Sequence, residues 1–157
     1  MKNKKYKFQK VVNLSFLEGT SIKVLFEDGL TKIFDVSELF DRLPEYKRLN
    51  KRDFFLKGKL DGWGGIRWNS KIDLSSETIY YEGTTVPSEE NAELLILGFK
   101  VKQARLEKEL TQKQLSDLVK SDQGDISRLE KGQYNPSFKF LEKISKALNK
   151  KLVFTLK

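Results

Sequence analysis

The sequence predicts an α+β chain, with a small antiparallel-sheet domain and short helices first and an all-α domain with a terminal strand after it. Three observations carry this. Up to about Glu82 the apolar residues recur mostly at every second position, and from Ser88 onward at helical spacing. Between them "GTTVPS", Gly83 to Ser88, has the composition of a linker. The boundaries that follow are 1–83 for an accessory domain, 84–88 for a linker and 89–157 for the helical domain.

Taken in order, "VVNLSF" sets Val12, Leu14 and Phe16 on one face of a strand, and "IKVLF" does the same with Ile22, Val24 and Phe26. "EGT" and "EDG" read as turns and "TKIFDV" as a third strand, which together make an antiparallel meander. Ser37, followed by Glu38, is the expected N-cap of a short helix through "ELFDRL". The basic stretch Arg42 to Lys59 comes next, then "GIRW" as a further strand, then a helical turn capped by Ser75 or Ser76. Trp63 and Trp68 are expected in core or turn packing, and Gly62, Gly64 and Gly65 at a turn or bulge. The tail "KKLVFTLK" alternates Leu152, Phe154 and Leu156 against Val153 and Thr155, which is a strand signature that needs a partner strand.

Composition narrows the function. The 157 residues include no cysteine, which removes disulfides and thiolate metal sites, and no histidine, the commonest general base and metal ligand. Catalysis would then need paired carboxylates; Asp61, Asp73 and Glu82, with Arg67, show no dyad or metal-ligand spacing. No enzyme, metal or cofactor is expected. The longest apolar run, "LLILGF", is far short of the ~20 residues of a membrane helix, and the lysines near Met1 have no apolar stretch behind them. A cytoplasmic protein without a membrane partner is the expectation. Net charge is +8, which favours a polyanionic partner, but the two halves share it at +4 each (16 basic against 12 acidic residues, then 14 against 10). Charge alone does not tell which half binds what.

The segment "TQKQLSDLVKSDQGDISRLEKG", Thr111 to Gly132, is more specific. Thr111 with Gln114 is a capping-box spacing that opens one helix, and Leu115, Leu118 and Val119 are its inward stripe. "KS" is a turn. Asp122 is placed to cap the next helix, and Asp125 to meet the positive end of its dipole. Ile126 and Leu129 then point inward, which leaves Gln123, Gly124, Ser127 and Arg128 outward. Gly132 suits a left-handed helix end, Ser137 caps a following helix, and Tyr134 packs under the intervening loop.

From Val101 to Leu148 this half resembles the helix-turn-helix of the phage Cro and lambda-repressor type, the Xre-like regulators. The resemblance implies a five-helix lambda-repressor-like fold that binds double-stranded operator DNA, commonly as a homodimer with half-sites roughly 34 Å apart. It implies base reading by Gln123, Gly124, Ser127 and Arg128, with Gln123 suited to adenine and Arg128 to guanine. It implies phosphate contacts by Gln112, Lys131, Gln133 and Asn135, and a largely buried structural ion pair between Arg105 and Glu130. Lys120 stands where relatives usually have glycine, so a left-handed backbone there costs ~1 kcal/mol.

In the first half, "GGIRWNSKIDLSSETIYYEG" resembles a small bacterial domain family of unknown function, marked by "I-R-W", "I-D-L" and a threonine two before a tyrosine. The likeness spans Val11 to Glu82. It implies an accessory role through residues 1–83, in dimerisation or in holding a toxin or other protein. The basic stretch reads first as a solvated face over buried Tyr46, Phe54 and Phe55, and second as a nucleic-acid contact by Arg42, Lys47, Arg48, Lys51, Arg52, Lys57 and Lys59. Together these readings predict a DNA-binding transcriptional regulator, a repressor and autoregulating antitoxin. The alternative is a toxin-binding interaction module with DNA binding secondary.

Overall fold

In the computed structural model, which describes residues 8–156, the chain divides into two compact units at Glu89/Glu90. The amino-terminal lysines before Phe8 lie outside the described residues.

The first unit holds two antiparallel sheets. Strands β1 (Val11–Phe16), β2 (Ser21–Phe26), β3 (Thr31–Asp35) and β7 (Thr84–Val86) form one in that order. The short strands β4 (Lys59–Leu60), β5 (Ile66–Arg67) and β6 (Asp73–Leu74) form the other. The β1–β2 turn has Gly19 at φ 64°; the β2–β3 turn has Gly29 at φ 91° and Asp28 accepting from the Leu30 amide at 3.0 Å. The β1 register jumps between Val11↔Phe26 and Asn13↔Leu25. This bulge buries Val11 in place of the expected Val12, while Leu14 and Phe16 still pack on the core.

Helices close the unit. The first is a 3-10 turn at Val36–Leu39, capped by Asp35 accepting from the Ser37 amide, so Ser37 lies inside the turn that it was expected to cap. A second 3-10 run, Pro44–Asn50, leads into α1 (Arg52–Phe55), and α2 (Ser76–Glu82) is capped by Ser75. Phe55 is the hub of the aromatic core. It stacks on Trp68 with centroids 6.2 Å apart, takes the edge of Phe16 at 5.0 Å, and its carbonyl accepts from the Trp68 indole at 2.7 Å. Trp63 goes the other way from expectation: it is 78% exposed at the tip of a loop braced by Asp61, which accepts from the Trp63 and Gly65 amides.

The stretch 84–88, read from composition as a linker, belongs to the sheet. β7 pairs with β3 (Ile33↔Thr84, Thr31↔Val86), and the Ser88 hydroxyl donates to the Gly29 carbonyl at 2.7 Å. Its small and β-branched residues suit an edge strand as well as a linker, and only the pairing separates the two.

The second unit has four helices among the described residues, not the five expected: α3 (Ala92–Glu107), α4 (Gln112–Val119), α5 (Gln123–Glu130) and α6 (Phe138–Ala147). Their core is Val101, Leu115, Val119, Ile126, Leu129, Ile144 and Leu148, flanked by Leu97, Ala104, Leu110, Tyr134 and Phe140. The tail forms no strand among the described residues, although its alternation suggested one. It runs on without a ladder, and Phe154 lies against Phe138 with ring centroids 5.1 Å apart.

Candidate nucleic-acid interface

Helix α4 begins with a complete capping box: Thr111 Oγ1 accepts from the Gln114 amide at 3.1 Å, and Gln114 Oε1 accepts from the Thr111 amide at 2.8 Å. It buries Leu115 and Val119, whereas Leu118 is exposed and drops out of the expected stripe. Lys120 ends it in the left-handed conformation, φ 55° and ψ 54°, while the Ser121 amide donates back to the Ser116 carbonyl at 2.9 Å. That one residue turns the chain sharply enough for α5 to start three residues later.

In α5, Ile126 and Leu129 are fully buried and hold the helix against the core. Gln123 and Arg128 are exposed on the opposite side, with Gly124, Asp125 and Ser127 half-buried beside them. An α-helix with its side chains is ~10–12 Å across, a diameter that a major groove ~12 Å wide admits. Asp122 occupies the cap position in an extended conformation, but its side chain makes no capping bond. Asp125 has a different partner as well. Its Oδ1 accepts from Arg128 Nη2 at 2.5 Å, so this carboxylate orients the arginine one turn away as well as facing the helix dipole. Gly124 makes room for that pair: a Cβ there would lie 3.3 Å from Arg128 Nη1. The outward face therefore presents an amide at Gln123, a bare backbone at Gly124 and a braced guanidinium at Arg128.

The helix is fixed from behind by the ion pair of Arg105 and Glu130. Arg105 Nε and Nη2 donate to the two Glu130 carboxylate oxygens at 2.6 and 2.9 Å, and Nη1 donates to the Leu110 carbonyl at 2.6 Å. Gln112 joins this network, its Nε2 donating to Glu130 Oε2 at 2.9 Å. One of the two side-chain N–H groups of Gln112 is thus committed inside the protein. The residues after α5 are exposed at Lys131, Gln133 and Asn135, around Gly132 at φ 68°. Tyr134 sits half-buried with its ring edge-on to Phe140.

Sequence reasoning passed over Gly98. A Cβ on it would stand 2.3 Å from the Leu129 carbonyl oxygen and 2.9 Å from that of Glu130, so α3 crosses the end of α5 backbone to backbone. Gly132 likewise presses on Leu95. A lone glycine inside an apolar helix was the available signal, and nothing in its spacing says which helix it meets.

Residues 101–154 match the family model described as Helix-turn-helix, and residues 11–85 match that described as Protein of unknown function (DUF2442). The domain in the second unit belongs to the helix-turn-helix family. Among solved structures, this helix-turn-helix chain is similar to the restriction-modification controller protein C.AhdI from Aeromonas hydrophila. Identity is 30%, the match covers 38% of this chain and 91% of that one, and the TM-score is 0.38. It is also similar to the restriction-modification controller protein C.Esp1396I, in a tyrosine-to-phenylalanine mutant. Identity there is 36%, over 35% of this chain and 70% of that one, with a TM-score of 0.34. No curated protein matched. Among the described residues no group of three or more acidic residues is placed to hold a metal ion, and no helix is long and apolar enough to cross a membrane.

Proposed function

We propose that this helix-turn-helix protein is a cytoplasmic transcriptional regulator that binds operator DNA as a homodimer and represses its own operon. The observation that carries the reading is the outward face of α5, where Gln123 and Arg128 stand exposed on either side of a half-buried Gly124, on a helix locked by the buried Arg105–Glu130 pair. In this reading Arg128 donates to a guanine, Gln123 pairs with an adenine, and Ser127 lies at the edge of the contact. Lys131, Gln133 and Asn135 hold the phosphates on one side. Gln112 reaches a phosphate through its backbone amide at the start of α4 or its second side-chain N–H. The dimer is supported by the exposed apolar residues Phe138, Val153, Phe154 and Leu156 toward the carboxyl end.

Titration of the chain's own upstream region tests the reading. Arg128→Ala should cost ~1–3 kcal/mol on the preferred sequence and flatten preference at one base pair. Lys131→Gln should weaken every duplex alike and reduce the salt slope by about one. If Arg128→Ala bound all duplexes as the parent does, the base-reading assignment would be wrong.

A second reading, in which the protein is an antitoxin whose first unit holds a toxin, is favoured by Trp63. A tryptophan 78% exposed on a loop braced by two hydrogen bonds is a preorganised anchor for a protein surface. Co-expression with the product of the adjacent gene, followed by size-exclusion chromatography, should give a complex that Trp63→Ala disrupts. A complex indifferent to that change would remove Trp63 from the interface.

A further inference from the structure

The basic stretch of the first unit folds into a shallow cleft of about 460 Å³ lined by Arg48, Lys51, Arg52, Asp53, Phe54 and Lys57. Four cations and one carboxylate line it, so the cleft holds a net +3 of the +4 carried by residues 1–83. None of these cations has an ion-pair partner among the described residues. Gathering like charges on one face costs self-repulsion, which a polyanion relieves. Two of the four are held in place. Arg52 Nη1 donates to the Leu17 and Gly19 carbonyls at 2.7 and 3.0 Å, and the Arg48 guanidinium lies 4.4 Å over the Phe54 ring. Lys51 and Lys57 are exposed and project from this fixed base.

We infer that this cleft is a second DNA contact, which grips the phosphate backbone of a duplex without reading its sequence. The inference rests on the reading of the second unit as the part that selects the duplex. The aromatic content decides between duplex backbone and single strand. Single-strand binding sites stack bases on open aromatic faces. Here Phe54 is half-buried with a guanidinium over its ring, and Phe55 is fully buried, so the cleft offers cations but little stacking surface.

The test is salt-dependent titration of the full chain on three labelled probes: its upstream duplex, a scrambled duplex of the same length, and oligo-dT. The variants are Lys51→Gln/Lys57→Gln, whose side chains make no hydrogen bond or ion pair among the described residues, and Lys131→Gln alone. Loss of two phosphate contacts should flatten the slope of log K against log salt by about 1.8 and weaken both duplexes about 30-fold at ~0.15 M salt, leaving their ratio unchanged. A slope within about 0.5 of the parent's would overturn the inference. So would a loss confined to oligo-dT, which would mark the cleft as a single-strand site instead. If Lys131→Gln flattens the slope and the double variant does not, the cleft contact fails while the α5 reading stands. The reverse pattern keeps the cleft and discards the phosphate role of Lys131.

Discussion

Glu130→Ala is the sharpest probe of how the recognition helix is held. The Glu130 and Arg105 side chains are 3% and 8% exposed, and the carboxylate accepts from Arg105 Nε, Arg105 Nη2 and Gln112 Nε2. Removing it leaves a buried guanidinium with the Leu110 carbonyl as its partner, and the Gln112 amide loses its acceptor too. A stranded buried charge costs about 3–5 kcal/mol, a large share of the ~5–10 kcal/mol that typically holds a small unit folded. At about 4–8 °C per kcal/mol, the second unit should melt at least ~12 °C lower. The two units can be followed separately in urea. Both tryptophans, Trp63 and Trp68, lie in the first unit, while α3 to α6 hold most of the helical residues, so fluorescence reports one unit and far-ultraviolet ellipticity mainly the other. The ellipticity transition should move. Arg105→Met/Glu130→Leu should recover most of the loss, because no charge is then left behind. A loss under ~1 kcal/mol for Glu130→Ala, or a double variant no better than the single one, would refute the argument that desolvation makes this pair costly to break.

Three further outcomes follow from local geometry. Gly98→Ala should lose ~2 kcal/mol in urea denaturation despite its better helix propensity, because its Cβ would sit 2.3 Å from the Leu129 carbonyl; a gain in stability would show that α3 and α5 are not in backbone contact. Lys120→Gly should raise the melting midpoint by a few degrees, since relief of the left-handed strain at φ 55° is worth ~1 kcal/mol; a lower midpoint would mean the lysine side chain contributes more than its backbone costs. Tyr80 donates to Asp28 at 2.7 Å, and this bond, helped by burial, pushes its pKa up to about 12 from an ordinary 10. A raised folded-state value means that the stabilisation is complete below pH ~10 and is lost as pH rises through about 12. Alkaline titration of tyrosinate absorbance should contain a late component that Tyr80→Phe removes.

Much of the second unit was legible because its signals are local. The capping box at Thr111, the cap at Ser137, and the inward Leu115, Ile126 and Leu129 depend on residues within a turn or two of one another, as does the cap at Ser75 in the first unit. What misled was also local. Asp122 has the right identity for a cap and forms no capping bond, and Leu118 has stripe spacing yet faces solvent. Burial is decided by the neighbouring helix and not by the stripe itself. "GTTVPS" read as a linker because small polar residues suit loops and edge strands alike, and its pairing with β3 is a contact some 50 residues away along the chain.

The sequence by itself determined that a helix-turn-helix lies between Thr111 and Gly132, which side of α5 faces out, and that no histidine or cysteine chemistry is available. Periodicity and capping are short-range physics, so they can be read from adjacent residues. Only the tertiary structure decided that Asp125 braces Arg128 over Gly124, that Gln112 is drawn into the Arg105–Glu130 network, and that Gly98 is where α3 meets α5. It also decided that Arg48, Lys51, Arg52 and Lys57 of the basic stretch line a shallow cleft together with Asp53. Those contacts depend on distances and directions between side chains and backbones brought close in space, and one-dimensional spacing does not contain them.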